Sequence, residues 1–221
     1  MPVITSPANN FMTTNTNLII FGTAAPNSNI QVLNINSSFV IDTLGITMAD
    51  ASGNWSLLTT NLAYGSYSFF AVASIGSSTQ SSTIVNGIIS LPIPTITSPI
   101  NGFTSNSNNL VISGTAAPNS NITLLDTANG TPIGPIGGAM AGSDGTWFVI
   151  ATNLPFGSHS FTAVSNLGSS SASSSSVSGI ISLIVPTINS PLNNFSTTNT
   201  NLTVSGTAAP NSTITVLDTV N

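Results

Sequence analysis

The chain alternates apolar with polar or variable residues in short runs, and no stretch has the period and caps of an amphipathic helix. In one run the apolar residues Leu18 and Ile20 enclose a position that varies, and this arrangement recurs 92 residues later at Leu110 and Ile112. Alternation with a period of two is typical of a strand that buries one face. The pattern therefore predicts an all-β chain.

Turn and strand signals surround this run in a fixed order. The motif Pro-x-Ile-x-Ser-Pro precedes it and predicts a short edge strand, because Pro removes a donor from the sheet. The polar residues 8–16 between the motif and the run predict a turn. After the run, Ile30 and Val32 predict a third strand. The middle of each copy is more variable and predicts one or two short strands of different length.

The second half of each copy contains further strand signals. Gly-x-Trp places Trp55 and Trp147 at equivalent positions, where we expect each indole to fill a core between two sheets. The serine-rich residues 169–176 lie inside a copy and predict a polar loop rather than a linker. A last strand is predicted near residues 82–91 and 177–184. Seven or so short strands with regular turn signals predict a β-sandwich.

The heptapeptide Gly-Thr-Ala-Ala-Pro-Asn-Ser occurs three times without a change, at residues 22–28, 114–120 and 206–212. A fixed period of 92 residues predicts tandem repeats. The predicted domains are residues 1–93, residues 94–185, and residues 186–221 as the first three strands of a third repeat. We expect the chain to be a segment of a longer repetitive protein. The alternative is that another subunit completes the third repeat by adding strands.

Charged residues make up only 2% of the 221 residues, with no Lys or Arg and with five acids that are all Asp. Without cations the chain is not expected to bind nucleic acid or anionic lipid surfaces. No stretch is apolar for long enough to insert into a membrane. Without Cys it forms no disulfide and no thiolate metal site. Few charges guard the predicted strand edges, which favours lateral self-association into a fibre or array through those edges.

The spaced motifs resemble those of bacterial Ig-like repeats, which occur in large surface adhesins and biofilm-associated proteins. The motifs are Pro-x-Ile-x-Ser-Pro, the heptapeptide, Gly-x-Trp, and Leu-x-x-Gly-Ser followed by an aromatic ring and Ser-Phe. The resemblance implies tandem Ig-like sandwiches in an extended array on the cell surface or outside the cell. It implies a structural stalk, fibre or appendage segment. The alternative is an adhesin whose repeats bind a glycan or a host-surface ligand.

His159 is the only histidine and the only candidate general base, and the first repeat has Tyr67 in its place. A base that one copy lacks does not favour a hydrolase, which needs a nucleophile, a base and an orienting group. Ig-like sandwiches often hold a ring here that bonds backward to the backbone. We therefore predict that neither ring is catalytic and that the protein is not an enzyme.

The acidic residues do not form a recurring cluster of the kind that calcium prefers. Asp126 and Asp218 share one repeat position, where the first copy has Asn34. We expect solvated loop carboxylates and no cofactor, with a weak calcium site built from one Asp and neighbouring oxygens as the alternative. Phe residues recur at one position of the early turn, which indicates packing rather than a binding surface: Phe11, Phe103 and Phe195.

Overall fold

The computed structural model describes residues 1–36, 40–210 and 212–218, and every regular element within these ranges is a β-strand. The described ranges contain no helix with the length and hydropathy that a membrane crossing requires. The predicted all-β class is therefore confirmed. Two β-sandwiches account for eighteen of the strands, and the last two strands pair with each other.

The first sandwich consists of a three-stranded and a six-stranded sheet. The order in the smaller sheet is β1-β3-β6, and that in the larger is β2-β9-β7-β4-β5, with β8 paired to the second half of β7. β2 runs parallel to β9, and the other pairs are antiparallel. The strands are β1 (Val3–Ser6), β2 (Phe11–Thr13), β3 (Leu18–Thr23), β4 (Asn29–Ile35), β5 (Ile41–Met48), β6 (Asn54–Thr59), β7 (Gly65–Ile75), β8 (Ser78–Ser81) and β9 (Val85–Ile89).

The second sandwich repeats this topology strand for strand. Its sheets have the orders β10-β12-β15 and β11-β18-β16-β13-β14, and β17 pairs with β16. A parallel strand beside the last strand and two sheets of this order are typical of an Ig-like sandwich. The strands are β10 (Thr95–Ser98), β11 (Phe103–Ser105), β12 (Leu110–Thr115), β13 (Asn121–Ala128), β14 (Thr131–Met140), β15 (Thr146–Ala151), β16 (Gly157–Leu167), β17 (Ser170–Ser173) and β18 (Val177–Ile181).

Each core lies between the two sheets and contains the predicted tryptophan. Trp55 and Trp147 are buried, as are the central phenylalanines Phe69 and Phe161. Both indole N–H groups are buried without a hydrogen-bond partner among the described residues. The recurring Phe of the early turn packs as predicted in the two sandwiches, because Phe11 stacks on Phe69 and Phe103 on Phe161, each with 5.6 Å between centroids. The third copy, Phe195, is 50% exposed, so the packing prediction is wrong there.

The first glycine of the heptapeptide lets the edge strand approach its neighbour. A side chain at Gly22 or Gly114 would collide with the carbonyl oxygen of Val3 or Thr95 and with the tryptophan below it. The heptapeptide then turns with Asn27 at a positive φ of 58°, and the hydroxyl of Ser28 donates to the Ala25 carbonyl at 2.7 Å. The motif thus joins β3 to β4 above the core.

Two predicted loops contain short strands instead. The turn at residues 8–16 contains β2, which gains its hydrogen bonds from β9, far away in sequence. The serine-rich segment 169–176 contains β17, which folds back on β16 through a tight hairpin. Each of these strands pairs at a sheet margin and buries little of its surface. Neither therefore shows an alternation of apolar and polar residues. The variable middle forms one strand per sandwich, β5 and the longer β14, as predicted.

The last part of the chain forms fewer strands than predicted. β19 (Thr187–Ser190) pairs with β20 (Ser205–Thr207), and residues 212–218 contain no strand. In the first sandwich the equivalent strand β4 is held between β5 and β7. No described strand lies beside residues 212–218, so they lack the hydrogen-bond partners that make β4 a strand.

Candidate functional site

The side chains that come nearest to an acid–base pair are His159 and Asp126, which lie together in the interior of the second sandwich. Asp126 lies on β13 and His159 on the neighbouring strand β16, and each residue is 2% exposed. The imidazole Nδ1 lies 2.7 Å from the carboxylate Oδ2 of Asp126. The other carboxylate oxygen accepts a hydrogen bond from the backbone N–H of Ser160 at 3.3 Å.

The second ring nitrogen of His159 points to the backbone. Nε2 lies 2.7 Å from the carbonyl oxygen of Pro155. A carbonyl oxygen only accepts hydrogen bonds, so Nε2 must carry the proton and donate. Both nitrogens are therefore engaged within the sandwich, and neither is free to deprotonate a substrate or to bind a metal. The arrangement positions a loop against a strand.

The first sandwich builds the same connection from different residues. The hydroxyl of Tyr67 donates to the carbonyl of Ala63 at 2.7 Å, at the position of the His159–Pro155 bond. Asn34 takes the place of Asp126, and its side-chain oxygen accepts the backbone N–H of Ser68 at 2.9 Å. Burial raises the pKa of the Tyr67 hydroxyl above its ordinary value. The predicted backward bond of the ring to the backbone is thus present in both sandwiches.

The prediction that the acids are solvated loop carboxylates is wrong for Asp126. Its neighbours on the strand, Ile122, Leu124 and Ala128, are buried at alternate positions. Asp126 continues this inward face, and the buried charge is tolerated because His159 and Ser160 bond to it. The alternation of apolar residues along this strand is the sequence signal that places Asp126 on the inward face, and the loop assignment did not take it into account.

Two other carboxylates close the same turn from different positions. Asp50 accepts the backbone N–H groups of Ser52 and Asn54 at 2.8 and 2.9 Å. In the second sandwich Asp144 accepts the backbone N–H and the hydroxyl of Thr146 at 3.0 and 2.8 Å. The backbone N–H of Asn54 lowers the pKa of Asp50, and that of Thr146 lowers the pKa of Asp144. Both groups are turn-forming acceptors.

The described residues contain no group of three or more His, Cys, Asp or Glu side chains that could hold a metal ion. Asp218, which shares the repeat position of Asp126, is exposed and lies outside any strand. Asp42 is exposed on β5 and accepts a hydrogen bond from the Asn36 amide at 3.3 Å. Asp126 and Asp218, which share a repeat position, therefore have different environments, one buried and one exposed.

No family model and no curated protein matches the sequence. Among solved structures, the chain is similar to the tetra-tandem repeat in the extending region of a large adhesion protein, with a TM-score of 0.44, 19% identity, and coverage of 82% of this chain and 49% of that one. It is also similar to the BSP domain of a biofilm-associated protein, with a TM-score of 0.32, 17% identity, and coverage of 81% and 29%.

A two-domain fibronectin type-III segment of chicken tenascin is similar with a TM-score of 0.41, 12% identity, and coverage of 82% of this chain and 97% of that one. The chain thus spans about half or less of the adhesion and biofilm structures and nearly the whole of the tenascin segment. The adhesion and biofilm-associated structures come from the classes of protein whose repeats the sequence motifs resemble.

Proposed function

We propose that the chain is a structural segment of an extracellular surface protein, in which tandem Ig-like sandwiches serve as a stalk or spacer. The proposed domains are those of the sequence period, residues 1–93, 94–185 and 186–221. The carrying observation is the interchange of His159–Asp126 and Tyr67–Asn34 at one place in the two sandwiches. In both sandwiches the ring bonds to a loop carbonyl, and the Asn34 or Asp126 side chain accepts the backbone N–H of the residue after the ring. An arrangement that either set of residues can build is architectural.

The composition supports this role. With no Lys or Arg, the chain offers no site to trypsin-like proteases, and with no Cys it has no disulfide that a reductant could break. The same features give no cation for an anionic substrate and no thiol nucleophile. We therefore propose that the protein is not an enzyme and needs no cofactor. Association through strand edges stays a prediction, since β2 and β5 end the larger sheet of the first sandwich.

Small-angle X-ray scattering of the whole chain tests the stalk. One sandwich measures about 35–45 Å along its strands, so an end-to-end pair would have a radius of gyration of about 25 Å. A compact arrangement of the same chain length would give about 17 Å. A value near the compact limit would overturn the spacer role.

Ligand-observed NMR with a panel of free mono- and oligosaccharides tests the alternative adhesin. A stalk gives no saturable binding. Saturable binding by the whole chain would favour the adhesin instead.

A further inference from the structure

The outer face of the three-stranded sheet carries an apolar patch in each sandwich. In the first sandwich the patch consists of Ile19 and Phe21 on β3 and Leu58 on β6. In the second it consists of Val111 on β12 with Phe148 and Ile150 on β15. All six side chains point away from the core, and the two phenylalanines are 45% and 62% exposed. We call these two sets the sheet-face patches.

The phenylalanine of each patch keeps its place on the sheet although it changes strand. Phe21 of β3 lies opposite Ser56 of β6 in the antiparallel register. In the second sandwich the residues are exchanged, because Ser113 of β12 lies opposite Phe148 of β15. Each sandwich thus has one Phe and one Ser at the same cross-strand pair. Core packing does not require this arrangement, since both positions face outward.

The aliphatic part of each patch recurs at the next cross-strand pair on the same face. Ile19 lies opposite Leu58, and Val111 lies opposite Ile150. Exposed apolar patches of a few hundred Å² are often functional, and this one recurs at the same place in both sandwiches. We propose that the sheet-face patches are the surface through which a second copy of this chain associates laterally, face to face.

The charge distribution favours a second copy over other partners. None of the outward residues of β1, β3 and β6, or of β10, β12 and β15, is charged. A highly charged partner would therefore find no complementary charge on the face and would lose hydration on contact. Another copy presents the same uncharged face, with its patches on the same repeats. Two such sheets can stack at about 10 Å with their apolar side chains interdigitated.

The size of the patches sets the strength of the contact. Three half-exposed apolar side chains offer on the order of 300 Å² per patch. A stable standard interface buries about 800 Å² per partner, so one patch alone is insufficient. If both patches meet their counterparts, they offer about 600 Å² per partner, which is still below the standard size, so the contact is weak. We therefore expect a concentration-dependent dimer with a dissociation constant on the order of 10–1000 µM.

Sedimentation velocity of the whole chain between about 10 µM and 1 mM tests the proposal. The main variant is Phe21→Ser with Phe148→Ser, which places in each sandwich the residue that its outward partner already has. We expect its dissociation constant to rise about tenfold or more, since each lost Phe removes an interfacial anchor. The matched control is Met12→Thr with Ile84→Ser, two exposed apolar residues away from the patches that the second repeat replaces with Thr104 and Ser176. Its dissociation constant should be unchanged.

Disulfide trapping locates the contact without removing an apolar residue. The chain has no Cys, so Ser56→Cys introduces a unique thiol beside Phe21 on the exposed face. Air oxidation should give covalent dimers, whereas Met12→Cys on the other sheet should give few. Three results would overturn the proposal. The wild-type chain could stay monomeric to 1 mM, both double variants could weaken association equally, or Ile46→Lys on the edge strand β5 could abolish association while the Phe variant leaves it intact.

Discussion

The inward position 126 holds the most consequential single residue of the second sandwich. Asp126 and His159 are both inaccessible to solvent in their side chains and are joined at 2.7 Å. Removing one partner of a buried charged pair leaves the other without compensation, which typically costs about 3–5 kcal/mol. The first sandwich shows an uncharged solution at the same place, Asn34 with Tyr67. That alternative makes the coupling between the two positions measurable.

We expect His159→Tyr alone to lower the free energy of unfolding by about 3–5 kcal/mol, because the carboxylate of Asp126 loses its ring partner. Asp126→Asn alone should cost about 1 kcal/mol or less, since an amide can still accept from Ser160 and donate to the ring nitrogen. The double variant should recover most of the loss. Urea unfolding of the three variants measures this cycle, and additive effects would contradict the proposed coupling.

The Ser165 hydroxyl is another buried polar group at which the two sandwiches differ. The hydroxyl of Ser165 on β16 is buried without a hydrogen-bond partner among the described residues, and the first sandwich has Ala73 at this position. A buried unsatisfied hydroxyl costs about 1–3 kcal/mol. Ser165→Ala should therefore raise the free energy of unfolding by about 1 kcal/mol, measured by urea unfolding. The reciprocal change Ala73→Ser is the matched control and should lower it; a loss of stability in Ser165→Ala would show that the hydroxyl has a partner.

Among the elements, those with their own alternation were predictable and those without it were not. β3 and β12 show the period of two that comes from burying one face. β2 and β8 are polar or short, and they become strands only because β9 and β7 supply hydrogen bonds within the larger sheet. These partners are distant in sequence or are reached through a hairpin, so the residues of β2 and β8 alone do not indicate a strand. Their composition is that of a loop. The ring-to-backbone bond was predictable because Leu-x-x-Gly precedes the ring. The alternation of β13 indicates that Asp126 is buried, but its pairing with His159, 33 residues away, was not predictable from local sequence.

In the turns before β6 and β15, the two repeats place a carboxylate at different sequence positions. Asp50 has Gly142 as its counterpart, and a side chain at Gly142 would come within 2.8 Å of the Asp144 carboxylate. The two carboxylates therefore occupy the same region of the turn from different positions. Phe21 and Phe148 show the same behaviour on the sheet face. In both cases the two repeats keep the same kind of side chain at the same place in the fold but on a different residue of the repeat. An alignment by sequence position therefore misses both equivalences.

These turns should be sensitive to acid. Backbone N–H donors lower the pKa of Asp50 and Asp144, so their contribution to stability is present above the unfolded value of about 3.9 and is lost as pH falls through the lower folded value. Asp50→Asn with Asp144→Asn keeps an acceptor oxygen but removes the titration. We expect its melting temperature to fall less than that of the wild type between about pH 6 and pH 3, followed by circular dichroism.

The matched control for the acid experiment is Asp42→Asn, which removes a charge from the exposed strand β5 instead of a turn. Its melting temperature should follow the wild-type dependence on pH. If the turn variant and the wild type lost stability in parallel, the two carboxylates would not be the source of the acid sensitivity.

At the scale of the whole molecule, five aspartates supply the formal net charge of −5 at pH 7 with His counted as neutral, and no Lys or Arg offsets it. Copies that approach one another therefore repel weakly at pH 7, and this repulsion disappears near the isoelectric point of about 4.1. The sheet-face patches contribute an attraction that does not depend on ionic pairs. Net charge and face contact thus act in opposite directions on lateral association.

We therefore expect the dissociation constant for self-association to fall when the pH is lowered from about 7 to the isoelectric point of about 4.1, because the net charge that repels the copies approaches zero there. Added NaCl should also lower it at pH 7, where screening reduces repulsion, and should have little effect at the isoelectric point. Sedimentation velocity at both pH values, with low and high salt, measures the four cases, and circular dichroism verifies that the fold persists. An increase in the dissociation constant with salt would contradict this account, because it would mean that ion pairs hold the copies together.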